Sequence, residues 1–387
     1  MEIRSLDPAD IGRSLAIRTR AFGPLPESSR PAWEAGVQEA IDKDLVLGAY
    51  DEKLLVARAL VYDFRQYWGG QVVPMAGIAG VVVAPEYRGR GVGSALMRGL
   101  ITHCRGLGYP VSCLYPATVP VYRQQGWEIA GAQTRYSMRT RLLRELRGGA
   151  VSVREATPED AGQLAAITGA EHAAGRVCGA RDHTEADLAE DLADDSVFGY
   201  LADDGFVVYG WADKDIVVYQ LVAASVETAR ALWAVVGSSS SVAEEVHAYL
   251  APDDAVHQLL REPVFESTKQ TRWMLRLLDV RLALSARGYA AGVDVDVPVV
   301  IDDPQEAANC LSGRLRVAAG KGELVESAVG TGVDAIRLGA NGVAALYAGS
   351  PTAVLATAGL ISGGSPEDRA LLDAAFTGRP AYMLGYF

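Results

Sequence analysis

Residues 81–97, VVVAPEYRGRGVGSALM, have the residue types and spacing of a phosphate-binding turn. An apolar run ends at Pro85, glycines follow at positions 89, 91 and 93, and a helical pattern begins directly afterwards. Glycines let the backbone approach a pyrophosphate closely, and the first N–H groups of a helix attract anions together with its dipole. The stretch therefore predicts a turn that binds the phosphates of a ligand.

Two common nucleotide-binding motifs do not fit this turn. A Walker A loop requires a lysine after its second glycine, and the sequence has none there. A dinucleotide fingerprint needs a third glycine, where the sequence has Ser94 or Leu96, and an acidic residue about 20 positions further on. No Asp or Glu occurs between Glu86 and Glu128, whereas the same interval contains arginines at positions 88, 90, 98, 105 and 123. The turn thus lies in a locally positive segment and predicts an anionic ligand other than a dinucleotide.

The composition limits the classes of partner. The 387 residues are 49% hydrophobic and 22% charged, which suits a globular protein of two or three domains. A net charge of −12 argues against nucleic acid, because backbone binding needs clustered Lys and Arg, and mildly favours cationic small molecules. The N-terminus has charges where a secretory signal needs an apolar core, and the charge-poor run at 69–84 is too short for a bilayer. We expect a cytoplasmic protein with no membrane partner.

The cysteines and histidines predict no metal site. Four cysteines, at positions 104, 113, 178 and 310, form no CxxC pair and have no ligand-like spacing with the five histidines. They are interpreted as small core residues of a protein in a reducing compartment.

An internal repeat indicates a duplicated domain. Residues 2–17 align with residues 152–167, and each copy has the pattern of a short strand, a turn and a helix that begins after Pro and Asp. A repeat this long is a whole domain rather than a solenoid unit, with a boundary near 141–150. We predict domains at 1–145, 146–276 and 277–387.

Hydrophobic periodicity predicts alternating strands and helices in the first copy, hence an α/β domain with a mixed sheet. Its predicted strands cover 45–51, 53–64, 77–84 and 110–115, and its predicted helix covers 94–108. The last hundred or so residues predict a separate α+β domain. Its predicted helices are 277–289 and one beginning at Ser365, and its predicted strands are 293–299, 314–319, 323–327, 335–339 and 344–349.

The turn at 88–93 resembles a known family. Arg88-Gly89-Arg90-Gly91-Val92-Gly93 fits the R/Q-x-x-G-x-G/A signature of the Gcn5-related N-acetyltransferases, after the V-x-V-x-P-x-x-R segment that commonly precedes it. In that family the loop binds the pyrophosphate of acetyl-CoA, and the preceding strand binds the pantetheine arm and polarises the thioester carbonyl. The resemblance therefore implies acetyl-CoA as co-substrate, without a metal. The predicted acetyl-CoA residues are Val81, Val82, Val83, Arg88, Gly89, Arg90, Gly91, Val92, Gly93, Ser94, Ala117 and Thr118.

The second copy departs from this signature. Its corresponding segment, residues 216–237, has no glycine between Gly210 and Gly237 and no R-x-x-G-x-G. We expect one donor site per chain, in the first domain. Tandem acetyltransferase domains with one degenerate copy, followed by a sterol-carrier-like α+β domain, resemble the enhanced intracellular survival (Eis) family over the whole chain. That resemblance implies acetylation of amines, several aminoglycosides among them, and assembly as a homo-oligomer, commonly a hexamer.

The resemblance also implies two catalytic groups. Tyr122, in VYRQQGW, matches the family's tyrosine context and would give a proton to the departing CoA thiolate, whereas Tyr115 lies seven residues earlier, on the predicted strand. The first domain contains no evident carboxylate or histidine base. In the Eis family the chain's own terminal carboxylate takes that role, and here it is on Phe387. The segment AYMLGYF is apolar to its last residue, so its burial is physically reasonable.

The acceptor side is expected along residues 21–33, which follow the first helix. Phe22 and Trp33 are the predicted aromatic walls, and Glu27 is a candidate partner of a cationic amine. The predicted function is direct transfer of an acetyl group from acetyl-CoA to a primary amine of a cationic, aminoglycoside-like small molecule. Two alternatives stay open: a protein-lysine or polyamine N-acetyltransferase, and a non-catalytic acyl-CoA- or lipid-binding protein. The intact turn and Tyr122 count against the last one.

Overall fold

The computed structural model describes residues 1–146, 149–261, 267–327 and 334–387. Residues 147 and 148, which fall in the predicted boundary segment 141–150, lie outside the described part. The described strands form two sheets, one of twelve strands and one of five.

The first repeat begins with a strand and a helix, as the sequence predicts, and continues as alternating elements. Its strands are β1 (Glu2–Ser5), β2 (Val46–Asp51), β3 (Leu54–Trp68), β4 (Gln71–Val83), β5 (Val111–Leu114) and β6 (Glu128–Arg139). Its helices are α1 (Ile11–Phe22), α2 (Arg30–Asp42), α3 (Val92–Gly106), α4 (Val119–Arg123) and α5 (Thr140–Arg144).

The second repeat has the same opening pattern. Its strands are β7 (Arg154–Ala156), β8 (Val197–Ala202), β9 (Gly205–Ala212), β10 (Asp215–Ala223), β11 (Glu245–Tyr249) and β12 (Ser267–Leu277). Its helices are α6 (Ala161–Ala174), α7 (Glu185–Ala193), α8 (Val226–Gly237) and α9 (Val256–Leu259).

The C-terminal segment has its own sheet. Its strands are β13 (Val295–Asp302), β14 (Leu311–Ala318), β15 (Lys321–Glu326), β16 (Ile336–Gly339) and β17 (Ile361–Ser362). Its helices are α10 (Val280–Ala286), α11 (Ala340–Tyr347), α12 (Thr352–Thr357) and α13 (Pro366–Phe376). The predicted fold class, two mixed α/β repeats followed by an α+β domain, is confirmed.

The two repeats share one continuous sheet because each completes the other. The order is β1-β2-β3-β4-β5-β12-β6-β11-β10-β9-β8-β7. Strand β12 lies between β5 and β6, and the far edge of β6 pairs with β11. The predicted domain limits remain predictions, but the hydrogen bonds of the sheet cross the limit between the two repeats.

Two predictions in the C-terminal segment were wrong. Residues 277–289 were predicted as one helix, but β12 includes Leu277 and α10 covers only Val280–Ala286. Residues 344–349 were predicted as a strand, but most of them belong to α11. Every residue of α11 from Gly342 to Tyr347 is buried. A helix buried on all sides has no polar face, so its sequence lacks the 3.6-residue periodicity that would reveal it.

Candidate active site

The turn between β4 and α3 has the geometry of an anion-binding loop. After a 3-10 turn at Pro85–Tyr87, the chain passes Gly89, with φ +72°, and Gly91, with φ +78°. Gly91 is the N-cap residue of α3. Because glycine has no side chain, it forms no capping hydrogen bond with the first N–H groups of the helix. A Cβ placed on Gly89 or Gly91 would meet no atom within 4 Å. Unpaired N–H groups beside open space are what a pyrophosphate requires.

The charges around this turn favour an anion. Arg88 and Arg90 are exposed there, and the Arg88 Nε donates to the Val83 carbonyl at 3.2 Å. The acidic residue of the turn, Glu86, is paired with Arg20 at 3.0 Å. Its negative charge is therefore balanced by α1, and the arginines of the turn stay available.

The matching turn of the second repeat is closed. It consists of two residues between β10 and α8, and the Ser225 side chain accepts a hydrogen bond from the Thr228 N–H. The Thr228 hydroxyl in turn donates to Asp204. Because its own side chains cap the helix, this turn has neither the length nor the open N–H groups of the first one.

A cleft opens next to the first turn, where β4 and β5 diverge. The two parallel strands pair only from Met75 to Gly77 on the β4 side, whereas β4 continues to Val83. Beyond Gly77, the β4 edge facing β5 has no strand partner among the described residues. On its other edge β4 pairs with β3 through a bulge that includes Gly80, at φ +55°. The free edge at 78–83 offers backbone groups to an extended ligand such as a pantetheine arm.

Tyr122 lies on α4, the short helix that follows β5. Its ring meets Trp127 edge-to-face at 6.4 Å, and it packs against the same hydrophobic cluster as Val81 and Val83. Burial raises the pKa of Tyr122 above its usual range, and the nearby Tyr386 adds to the effect. The phenol is therefore protonated at neutral pH and able to donate a proton. Ala117 and Thr118 lie in the exposed loop just before α4.

The C-terminal segment, residues 382–387, enters the first repeat from the side of β6. The Gln133 side-chain amide donates to the Leu384 carbonyl at 2.6 Å. The Tyr115 hydroxyl donates to the Gly385 carbonyl at 3.0 Å. Side chains of the first repeat thus fix the backbone of this tail on its approach to the cleft.

The Phe387 ring packs among aromatic side chains beside β3 and β4. Its ring centroid is 5.2 Å from Phe64, 6.2 Å from Tyr62 and 5.4 Å from Tyr115. A Cβ on Gly77 would lie 2.7 Å from the Phe64 ring and 3.1 Å from the Phe387 ring, so glycine is needed at that position. Tyr386, the neighbour of Phe387 in the chain, is close enough to Tyr122 to contribute to the rise in its pKa.

A groove of about 440 Å³ lies between α2 and β3. Trp33 on α2 and Leu60, Tyr62 and Phe64 on β3 line it. Because Tyr62 and Phe64 are also the rings that contact Phe387, the groove leads to the tail. We call this the α2–β3 groove.

The three residues predicted for the acceptor side do not line one common groove in the structure. Trp33 lines the α2–β3 groove, but Phe22 does not. Phe22 is the last residue of α1 and is 56% exposed, since Gly23, at φ +86°, turns the chain away. Glu27 is exposed in a short 3-10 turn.

A buried ion pair holds the turn after α4 against the C-terminal domain. Arg276 on β12 donates to Asp303 at 2.7 Å and to the Gln125 carbonyl at 2.6 Å. Arg276 and Asp303 are 0% and 1% exposed, and Asn309 also donates to Asp303, at 3.1 Å. A Cβ on Gly126 would overlap the Arg276 guanidinium. The position of Tyr122 thus depends on a contact between three parts of the chain.

Sequence reasoning missed several residues that shape the site. Tyr115 was set aside as a strand residue, but it lies one position beyond β5 and binds the tail. Arg181 of the second repeat lies 3.9 Å from the centroid of the Phe64 ring. Arg276 and Asp303 belong to no motif and to none of the predicted elements, so the sequence gives no signal for this pair. Cys310 is exposed rather than in the core, because it lies on the connection that leads into β14.

Other kinds of site find no support in the ranges that the structure describes. Within residues 1–146, 149–261, 267–327 and 334–387, no three His, Cys, Asp or Glu side chains gather as metal ligands would. None of the helices described in those ranges combines the length and apolarity needed to cross a bilayer.

Family models match the three parts of the chain. Residues 2–130 match an acetyltransferase (GNAT) domain, residues 181–282 match a second acetyltransferase (GNAT) domain model, and residues 280–384 match a sterol carrier protein domain. N-acetyltransferase Eis of Mycobacterium tuberculosis is 30% identical over 263 residues, which are 63% of this chain and 65% of that relative. The match thus spans slightly less than two thirds of the length of this relative.

Solved structures resemble the whole chain. A GCN5-related N-acetyltransferase from Kribbella flavida is 47% identical with a TM-score of 0.97, covering 100% of this chain and 98% of that one. Eis1 from Mycobacterium abscessus is 26% identical with a TM-score of 0.78, and the match covers 100% of both chains.

Proposed function

Since this chain belongs to the GCN5-related N-acetyltransferases and has the domain order of the Eis type, we propose that it transfers the acetyl group of acetyl-CoA to a primary amine. The observation that carries this proposal is the open glycine turn at Gly89 and Gly91, continuous with the unpaired edge of β4. An acyl-CoA could place its pyrophosphate at the turn and its pantetheine arm along β4. Tyr122 and Phe387 are the proposed catalytic groups at the end of that path.

The proposed reaction is a direct transfer in a ternary complex. The amine nitrogen attacks the thioester carbon, a C–N bond forms, and the C–S bond of the tetrahedral intermediate breaks. Backbone N–H groups of Val81–Val83 stabilise the oxyanion. The Phe387 carboxylate takes the amine proton, and the Tyr122 hydroxyl gives a proton to the CoA thiolate and regains one from solvent. Acetyl-CoA is the co-substrate, and no step needs a metal.

The acceptor is proposed to be a small molecule with a primary amine. Family resemblance suggests a cationic, aminoglycoside-like acceptor, with polyamines and protein lysines as alternatives. The α2–β3 groove, at about 440 Å³, is in the size range of small-molecule sites, which favours a small acceptor. A cytoplasmic location, assembly as a homo-oligomer (a hexamer by family resemblance), and the absence of nucleic-acid and membrane partners remain predictions of the sequence.

A coupled assay of CoA release tests the proposed function. The full-length protein, with acetyl-CoA and one amine at a time, should release CoA thiol and form the N-acetyl product seen by mass spectrometry. Aminoglycosides, polyamines, lysine peptides and simple primary amines form the panel. Acetyl-CoA binding without N-acetylation of any amine would contradict the proposal and favour a non-catalytic acyl-CoA-binding protein.

Replacing Gly91 by alanine should weaken acetyl-CoA binding by about tenfold or more, since a side chain at φ +78° is strained by about 1–3 kcal/mol and the cap would rearrange. Isothermal titration of CoA measures the dissociation constant. Gly106→Ala is the matched control, because it lies on the same helix with open space around its Cβ position and no positive φ. Equal affinities of the two variants would mean that the turn is only structural.

Extending the chain beyond Phe387 should lower kcat by about 100-fold or more, because a general base contributes about 10²–10⁴-fold and the extension moves the carboxylate. Two added glycines suffice, and stopped assays with saturating acetyl-CoA give kcat. Two glycines added before Met1 serve as the control. Undiminished turnover of the extended tail would exclude the terminal carboxylate as the base.

A further inference from the structure

Arg58, on β3, is a buried cation, only 2% exposed. Its Nε and Nη1 atoms have no hydrogen-bond partner among the residues that the structure describes. Among the described residues no carboxylate forms a salt bridge with it. Proteins seldom bury an unpaired charge, because desolvation costs several kcal/mol per ion when no partner compensates it. The contrast is Arg276, which is equally buried but has Asp303 beside it.

The charge of Arg58 persists at neutral pH. Burial lowers the pKa of Arg58 to about 10, and the positive charge of Arg18 contributes to this shift. The group is therefore still protonated near pH 7. Two arginines, one on β3 and one on α1, create a positive local field in a protein of net charge −12.

Arg58 lies between Trp33, which lines the α2–β3 groove, and Gly80, which belongs to the bulge of β4. Its guanidinium carbon is 5.2 Å from the centroid of the Trp33 ring, and Trp33 lines the groove. On the other side, a Cβ on Gly80 would lie 3.4 Å from the Arg58 Nη2 atom. Gly80 belongs to the bulge of β4 immediately before Val81–Val83, the strand proposed to hold the thioester. An anion at Arg58 would thus lie next to the bulge that immediately precedes the strand proposed to hold the thioester.

The neighbouring charges supply no internal partner. Arg18 uses its Nη1 to donate to the Gly23 carbonyl at 2.8 Å. Two acids line the groove, and each already has a partner: Glu39 accepts from Lys43 at 2.6 Å, and Asp63 accepts from the Tyr109 hydroxyl at 2.8 Å. Within the described residues, Arg58 therefore has no negative partner, and its guanidinium is open to an external anion.

We propose that the acceptor carries an anionic group, a carboxylate or a phosphate, that pairs with Arg58 while its amine faces the thioester. This inference rests on the proposed acetyl transfer to a primary amine, and it replaces the cationic acceptor that family resemblance suggests with a zwitterionic amine. A guanidinium binds planar anions through two parallel hydrogen bonds, which would orient the acceptor as well as hold it. The same positive field disfavours a polycationic acceptor, and it lowers the pKa of the acceptor ammonium so that the free amine is more available.

Matched acceptor pairs test the proposal. Amino acids and ω-amino carboxylates are compared with their neutral amides, and aminoalkyl phosphates with the corresponding amino alcohols. An aminoglycoside and a polyamine serve as cationic comparisons. We expect kcat/KM at least tenfold higher for the anionic member of at least one pair than for its neutral partner, mainly through a lower KM. Carboxylate pairs and phosphate pairs distinguish the two anions.

Substitutions identify Arg58 as the source of the preference. Arg58→Gln should reduce kcat/KM for the anionic member at least tenfold more than for its neutral partner, and Arg58→Lys should retain part of the preference. Arg30→Gln is the matched control, because it removes an exposed positive charge from α2 that already pairs with Glu34 at 2.8 Å. Thermal unfolding and CoA titration establish that each variant is folded and binds the donor. Isothermal titration of the acceptor in the presence of CoA gives the same comparison without turnover.

Three results would overturn this inference. They are equal kcat/KM within every pair, a higher kcat/KM for the polycations, and an unchanged preference in Arg58→Gln. Acetylation of neutral amines or polycations in those cases would leave the proposed N-acetyltransferase function standing. Conversely, anion-dependent acceptor binding with no transfer would support the Arg58 site and contradict the proposed function.

Discussion

Tyr122→Phe is expected to lower kcat by about 10²–10⁴-fold, the range in which general acids contribute, while acetyl-CoA still binds. Phenylalanine keeps the ring that packs edge-to-face on Trp127, so only the hydroxyl is lost. The CoA thiolate would then leave without a proton donor. Single-turnover CoA release measures the chemical step, and titration of CoA measures the dissociation constant.

The pH dependence adds a second test of this role. Because burial and then Tyr386 raise the pKa of Tyr122, the phenol stays protonated until the pH exceeds its usual value of about 10. The acid function should therefore cause no loss of kcat between pH 7 and about pH 10. The proposed role would be contradicted if the kcat of the wild type fell with a midpoint below pH 9 while that of Tyr122→Phe did not.

Two other Tyr→Phe variants serve as comparisons for Tyr122→Phe. Tyr289→Phe removes a hydroxyl bound to the Leu284 carbonyl inside the C-terminal domain and should leave kcat unchanged. Tyr115→Phe removes the hydrogen bond to Gly385 and should loosen the tail, with a loss smaller than that of Tyr122→Phe. Normal turnover of Tyr122→Phe would remove this residue as the acid.

Asp303→Ala is expected to lower the free energy of unfolding by about 3–5 kcal/mol, because it leaves the Arg276 guanidinium buried and unpaired. Turnover should fall as well, since Arg276 also holds the Gln125 carbonyl in the turn that follows Tyr122. Urea unfolding followed by fluorescence and circular dichroism measures the stability. Asp302→Ala is the control, because the side chain of Asp302, the residue before Asp303, is exposed. Its effect on the free energy of unfolding should stay within about 0.5 kcal/mol.

The double variant Arg276→Met with Asp303→Leu separates charge from packing. Replacing a buried ion pair by apolar residues of similar volume is often neutral or stabilising, so the double variant should be more stable than Asp303→Ala alone. Turnover would still be reduced, because methionine cannot bind the Gln125 carbonyl. An Asp303→Ala protein with the stability and turnover of the wild type would show that the ion pair does not hold the domains together.

Local sequence determined the turn and most of the elements beside it. The glycines at 89 and 91 take positive φ, as a sharp turn into a helix demands, and α13 begins at the capping box that Ser365 and Asp368 form. The repeat at residues 2–17 and 152–167 gave two matching strand–turn–helix units, because short-range periodicity and capping depend only on neighbours in the chain. The family and the fold class followed from these signals.

The tertiary structure alone decided how distant segments complete the candidate site. The insertion of β12 between β5 and β6, the binding of the tail by Tyr115 and Gln133, and the pairing of Arg276 with Asp303 join residues far apart in sequence. Arg58 is an ordinary strand residue until the fold buries it between Trp33 and Gly80. Periodicity shows which face of an element is apolar, but not which distant element covers it. The sequence therefore predicted where an acetyl donor would bind, whereas only the folded chain shows which charges lie around the α2–β3 groove.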